Sequence, residues 1–299
     1  MRKQSILQVN GKNQSLGQRT WIMGILNVTP DSFSDGGLYY DKSKAVKRGM
    51  ELFAEGADII DIGGESTRPG SDPISVEEEL RRIIPVISGI RKTTDVFISV
   101  DTTKSEVAKA ALDEGADIIN DISSFRFDPR MALLAAQRDV PVILMHMKGT
   151  PKTMQIAPYY EDILNELKSF FRERLKTAQY LGVKKEKIIL DPGLGFGKKF
   201  EDNLFLLRNL RCLEEFERPV LVGMSRKSFI GKILNSPPQE RDEGTLALAV
   251  LSIQNGAHII RVHDVAAIKK AVLVVEAVMK KNPGSHRGEV EKEKGVYAY

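Results

Sequence analysis

Eight polar residues stand at or just beyond the ends of short apolar runs: Asn27, Asp61, Asp101, Asn120, Asp191, Lys227, Arg261 and His263. Asp101 and Asp191 are carboxylates, and a carboxylate at a buried strand end needs a partner. Such acceptors suit a ligand rich in N–H donors. The guanidine-like edge of a fused heterocycle is one, which a carboxylate grips through two hydrogen bonds. Arg68, Arg261 and His263 are donors suited to phosphate oxygens. Arg261 and His263 lie two apart, so on a strand they point the same way. No Ser-His-Asp set falls on this spacing. The histidines His146, His258, His263 and His286 lack H-x-x-x-H or similar metal spacing. A Mg2+ ion held through substrate phosphates and one or two protein oxygens is compatible with the set.

Plainer roles compete at several positions. Asp61 serves equally well as a cap on neighbouring backbone. His258 reads as a satisfied core residue, and Lys198 with Lys199 as a solvated charge pair. Asp31, Asp35 and Arg68 sit in loops where ordinary turn chemistry also accounts for them.

The stretch from Ile189 to Lys198 concentrates the signals. Lys187 to Leu190 reads as a short buried strand ending in the Asp191 carboxylate, and Pro192, with no N–H to give, stops the ladder. Gly193, Gly195 and Gly197 alternate with Leu194 and Phe196, a spacing that lets backbone approach a ligand or adopt positive φ. Phe196 is poorly shielded by its glycine neighbours and so available to a ligand. The stretch is not a P-loop, because Pro192 replaces the first glycine and Lys199 the Ser or Thr.

The elements that must position these residues repeat. Glu55 to Asp61 (Glu-Gly-Ala-Asp-Ile-Ile-Asp) recurs at Glu114 to Asn120 and again at Asn255 to Arg261. Each copy ends a helix on glycine and begins a short apolar strand whose last residue, Asp61, Asn120 or Arg261, shares a face with the first Ile of the pair. Further strands read at Trp21 to Leu26, Val96 to Asp101, Pro141 to His146 and Pro219 to Gly223. Helical spacing covers about 41–55, 76–92, 104–114, 129–138, 159–181, 202–210, 242–254 and 265–281. Strands alternating with helices argue for a parallel sheet. Eight such units argue for an α/β fold of the (β/α)8 TIM barrel type, with its site at the C-terminal strand ends. An open doubly wound sheet would carry G-x-G-x-x-G in its first turn, and Gly24 stands alone there. Asn10-Gly11 marks a hairpin turn. The expected organisation is a short N-terminal β-hairpin extension in 1–20, a catalytic barrel over 21–281 and a charged, disordered tail over 282–299. Long loops at 27–40 and 63–75 lie above the expected site and read as lids.

Bulk properties fit this picture. Of 299 residues, 42% are hydrophobic and 28% charged, with a net charge of +4, which suits an anionic small substrate and is too mild for nucleic acid. The single cysteine, Cys212, excludes an internal disulfide and suits a reducing cytoplasm. No run is long and apolar enough for a membrane span, and the N-terminus has no apolar signal segment.

From about Trp21 to Ala267 the chain resembles the dihydropteroate synthases. The resemblance rests on ordered motifs: Asn27 to Gly37, Gly64 to Gly70 (Gly-Glu-Ser-Thr-Arg-Pro-Gly), Ser99 to Thr102, Asn120 to Ile122, Met145 to Pro151, Asp191 to Lys198, Ser225 to Phe229 and Arg261 to Asp264. It implies that 4-aminobenzoate attacks the 6-methylene of a dihydropterin diphosphate, giving dihydropteroate and diphosphate, by an SN1-like path. It also implies Mg2+ with Asn27 as a metal ligand, small-molecule partners and a homodimer. Catalytic roles would fall to Asn27, Arg68, Asp101 and Lys227. Pterin would be bound by Asp101, Asn120, Met145, Asp191, Lys227 and Arg261. Diphosphate would meet Asn27, Thr67, Arg68, Arg261 and His263. Aminobenzoate would meet Phe33, Thr67, Pro69, Phe196, Lys227 and Ser228. Two other readings share the barrel: a methyltetrahydrofolate:corrinoid methyltransferase and a non-catalytic pterin-binding paralogue. The Ser-Thr-Arg-Pro and Ser-Arg-Lys-Ser-Phe strings favour the synthase.

Overall fold

The computed structural model describes residues 2–29 and 42–279. Two antiparallel strands, β1 (Ser5–Val9) and β2 (Lys12–Leu16), precede a parallel sheet. That sheet contains β3 (Trp21–Asn27), β4 (Ile59–Gly63), β5 (Phe97–Asp101), β6 (Ile118–Asp121), β7 (Val142–Met145), β8 (Ile188–Asp191), β9 (Leu221–Gly223) and β10 (Ile259–Val262). The helices between and after them are α1 (Lys42–Ala54), α2 (Val76–Arg91), α3 (Ser105–Asp113), α4 (Arg130–Arg138), α5 (Ile163–Tyr180), α6 (Phe200–Arg208), α7 (Ser228–Leu234), α8 (Asp242–Gln254) and α9 (Val265–Met279).

The three Gly-Ala repeats end their helices identically. Gly56, Gly115 and Gly256 have φ of +101°, +104° and +108°. The N–H of the following alanine reaches back to Leu52 O, Ala111 O or Ser252 O at 2.9–3.0 Å, and the glycine N–H to the carbonyl one residue further on. This is the Schellman closure, which satisfies orphan carbonyls and turns the chain into the next strand. A fourth copy, at Gly182 and Val183, closes α5 in the same way.

Side-chain parity then builds the barrel interior. Trp21, Met23, Ile59, Phe97, Ile118, Ile143, Ile189, Leu221 and Ile259 point inward as an apolar floor to which all eight parallel strands contribute. Residues of opposite parity, among them Ile22, Ile60, Ile98, Ile119, Leu144, Ile188, Val222 and Ile260, pack outward against the helices. Two residues above the floor the inward positions become polar: Asp61, Ser99, Asn120, Asp191 and Arg261. The register sets Asp61 beside Ser99, and Asp101 beside Gly63 and Asn120. A bridge between Leu190 and Val220 links β8 to β9 and closes the ring.

The hairpin seals the N-terminal end. Leu7, Val9 and Leu16 are buried against the floor, each contributing about 1.5–3 kcal/mol by leaving water. His258 ties the two parts together: its Nδ1 accepts from Val220 N at 3.1 Å and its Nε2 lies 2.8 Å from Lys3 O. It is the satisfied core histidine expected.

Some boundaries differ from those read in the sequence. β8 begins at Ile188, because Lys187 closes a 3-10 turn and buries its ammonium 3.2 Å from Asp139 Oδ2. α5 begins at Ile163 rather than 159, because Asp162 Oδ1 caps the N–H groups of Leu164 and Asn165. The short α7 was not anticipated at all. Phe33, Asp31, Asp35, most of loop 27–40 and the tail 282–299 lie outside the described residues.

Candidate active site

At the C-terminal mouth, Arg261 on β10 lies across the barrel toward β4 and β5. Its Nε donates to Asp61 Oδ2 at 2.6 Å and its Nη2 to Asp101 Oδ2 at 2.8 Å. Asn120 Nδ2 donates to the same Asp61 oxygen at 3.1 Å. Asp61 thus neither caps backbone nor stands alone; it holds Arg261 and orients the Asn120 amide so that its oxygen is left for another donor. Asp61 Oδ1, Ser99 Oγ and Asp101 Oδ1 are buried and find no hydrogen-bond partner among the described residues. An unsatisfied buried carboxylate oxygen costs several kcal/mol less when a ligand N–H meets it than when nothing does, roughly. Burial raises the Asp101 carboxyl, and Arg261 opposes that rise.

Asp191 lies at the top of β8, in register with Met145 of β7. Its Oδ1 accepts the Gly193 N–H at 2.7 Å. Burial lifts it to about 6, against the pull of that N–H and of Lys227, Arg261 and Lys198. Lys227 precedes α7, and its ammonium sits 4.2 Å from the Phe196 ring centre. Burial and the neighbouring Arg261 charge lower it to about 8, while Asp191 and Asp101 oppose the fall. Its loop is held from below: Arg226, at φ +56°, pairs with Asp242 through bonds of 2.8 and 2.9 Å, and Arg241 donates to Arg226 O at 3.0 Å.

Met145 belongs to an apolar cluster with Ile122, Met147 and Met154, on which Phe196 packs. A flat aromatic ligand has here one apolar wall beside carboxylates, a carboxamide and an ammonium. His263 Nδ1 lies 2.8 Å from Ser225 Oγ. Burial lowers His263 to about 3, helped by the charges of Arg261, Arg226, Lys227 and Arg68. It is therefore a neutral donor at neutral pH. Asn27 ends β3, half-buried opposite Gly63. Thr67 is half-buried, and Arg68 and Pro69 are exposed, in the loop after β4. That loop is anchored by Glu65, which accepts from Ile74 N at 2.8 Å and from Lys104 Nζ at 2.7 Å, the latter also reaching buried Glu79 at 2.6 Å. Ser228 is exposed at the start of α7.

One expectation is overturned. Lys198 is not solvated: it is 3% exposed, under the glycine arch. Its neighbour Lys199 is exposed and lies over the Tyr159 ring. His146, left open by the sequence, is the buried partner of Lys198 at 2.9 Å. Sequence reasoning also did not single out Ser225, Ile122, Met147 or Met154 as site residues. Ser225, Ile122 and Met147 were within reach, since they lie in the strings Ser225 to Phe229, Asn120 to Ile122 and Met145 to Pro151; Met154 carries no local signal.

A family model described as pterin binding enzyme matches residues 23–263. The dihydropteroate synthase of Escherichia coli strain K12 is 52% identical over 258 residues, 86% of this chain and 91% of that protein. A dihydropteroate synthase from Xanthomonas albilineans, solved with 4-aminobenzoic acid, matches with a TM-score of 0.86 at 45% identity, over 92% of this chain and 98% of the other. The same organism's enzyme in complex with 7,8-dihydropteroate matches with a TM-score of 0.80 at 44% identity, over 88% and 95%. This chain belongs to the pterin-binding enzyme family and, within it, to the dihydropteroate synthases.

Proposed function

We propose that this chain is a transferase that joins (7,8-dihydropterin-6-yl)methyl diphosphate to 4-aminobenzoate, releasing diphosphate. The observation that carries the reading is the buried, unpartnered Asp101 Oδ1 beside Asn120, within a site that also holds Asp191 and Lys227. These are acceptors and a donor for the polar edge of a pterin, with Met145 against its ring. Breaking the C–O bond to diphosphate leaves a methylene cation that the electron-rich pterin delocalises. The Asp101 carboxylate, held by Arg261 and shielded from water, stabilises that developing charge. Arg68, Thr67, Arg261 and His263 take the departing diphosphate. The aminobenzoate nitrogen then forms the C–N bond, and its proton leaves to solvent or to diphosphate. Phe196, Thr67, Pro69, Lys227 and Ser228 surround the aminobenzoate, and Phe33 is assigned there by resemblance alone.

Among the described residues no group of three or more His, Cys, Asp or Glu could hold a metal ion. The resemblance would have Asn27 lend an oxygen to a Mg2+ ion bound mainly through diphosphate oxygens and water. When bound, the ion would neutralise charge on the leaving diphosphate.

The homodimer is supported by the outer face of α8 and α9, where Leu251, Leu273, Val274 and Val278 are exposed. No helix among the described residues is long and apolar enough to cross a membrane, and the lone Cys212 fits a cytoplasmic setting. Incubating the protein with both substrates and Mg2+ should yield 7,8-dihydropteroate, identified by mass. Tight pterin binding without product would instead support the non-catalytic reading.

A further inference from the structure

The arch over 193–197 lies outside the strand ladders. Gly193, Gly195 and Gly197 all have positive φ, and a Cβ at Gly193 would sit 2.0 Å from His146 O. Gly193 O accepts the Phe196 N–H at 3.1 Å, and the other bonds to the arch carbonyls come from side chains. Lys198 Nζ donates to Gly193 O at 2.8 Å and to Phe196 O at 3.0 Å. The same ammonium reaches His146 O at 3.1 Å and His146 Nδ1 at 2.9 Å in the loop after β7. Gln155 donates to Gly195 O and Tyr160 to Gly197 O, each at 2.7 Å. An ammonium has three N–H groups, and here four acceptors compete for them. All four belong to the protein, so Lys198 is spent on the fold and not on a ligand.

We propose that Lys198 is a positioning residue for the condensation. Its ammonium clamps the arch to the loop after β7 and thereby holds Phe196 against Lys227 at the aminobenzoate subsite. The inference rests on the proposed synthase reading. A neutral, apolar side chain at 198 would leave His146 O and Phe196 O unmet and Gly193 O with only the Phe196 N–H, so the arch would reopen. Asp191 would suffer less, because the β8 ladder holds its backbone independently of the arch.

The test compares wild type with Lys198→Met, Tyr160→Phe, Gln155→Met and the exposed control Lys199→Met. Lys198→Met should raise KM for 4-aminobenzoate about tenfold or more, as loss of a stacked aromatic contact does. The Kd for the dihydropterin diphosphate should stay within about threefold. Tyr160→Phe should raise the same KM about threefold, and Lys199→Met should leave it unchanged. Hydrogen exchange should quicken over 193–197 alone. An unchanged aminobenzoate KM with unchanged exchange in Lys198→Met would overturn the clamp, as would an equal loss of affinity for both substrates. If Lys198→Met does not fold, unchanged KM and exchange in both Tyr160→Phe and Gln155→Met overturn it. A wild type that makes no dihydropteroate overturns the synthase reading, while the exchange data still decide the clamp.

Discussion

Burial lifts Asp191 in the folded chain from the ordinary 3.8 to about 6. A folded-state value above the unfolded one means that the native state holds the proton more tightly. The contribution to stability is therefore fully present below about pH 3.8, falls between there and 6, and is lost above. The shift corresponds to a penalty of about 3 kcal/mol at most at neutral pH. Asp191→Asn should accordingly raise Tm at pH 8, by less as pH approaches 4.5, while weakening pterin binding about tenfold or more. A Tm gain independent of pH would contradict this. Lys227, lowered to about 8 by burial, must be charged to act, and the buried carboxylates must be ionised. The pH profile of kcat/KM should thus rise across about pH 6 to 7 and fall above about 8; a flat profile from 6 to 9 would contradict the assignment. At this scale the sequence was informative for strand-end residues and silent on burial depth. Asp101 and Asp191 were legible because a carboxylate terminating an apolar run needs a partner. Lys198 was misread because its partners are backbone carbonyls and a histidine fifty-two positions away, which residue types alone do not reveal.

The glycine arch and the Schellman turns test the same property of glycine in two settings. Gly182 has φ +90°, and an added Cβ would meet only Ala136 Cβ at 3.6 Å. Gly182→Ala should cost about 1–2 kcal/mol, the left-handed penalty alone. At Gly193 (φ +64°) the Cβ would lie 2.0 Å from backbone His146 O, so Gly193→Ala should cost about 4 kcal/mol or more and disrupt the site. Denaturant unfolding measures both, and equal losses would refute the steric account. Elements were largely readable because Gly-Ala repeats mark helix end and strand start together. The misplaced boundaries arose where a side chain intervened, as with the Asp162 cap, or where short 3-10 turns and α7 lack enough residues to show a period.

For the molecule as a whole, the barrel was legible in the repeat parity: Ile59, Ile118 and Ile259 lie in the floor, and Asp61, Asn120 and Arg261 stand two residues above. The register between neighbouring strands was not, because it is set by contacts across the sheet. The exposed apolar face of α8 and α9 belongs to this scale as well. Wild type should sediment near twice 33.3 kDa, and Val274→Glu should shift it toward a monomer; a monomeric wild type would contradict the dimer. The proposed synthase requires the polar layer above the floor to expel diphosphate and capture aminobenzoate. Its most direct measurement is diphosphate release from the dihydropterin diphosphate with Mg2+, with and without 4-aminobenzoate, for wild type and Asp101→Asn. Release that depends on aminobenzoate, yields dihydropteroate and falls about 100-fold or more in the variant is the predicted result. Pterin binding with no release, or an Asp101→Asn rate equal to wild type, would contradict it.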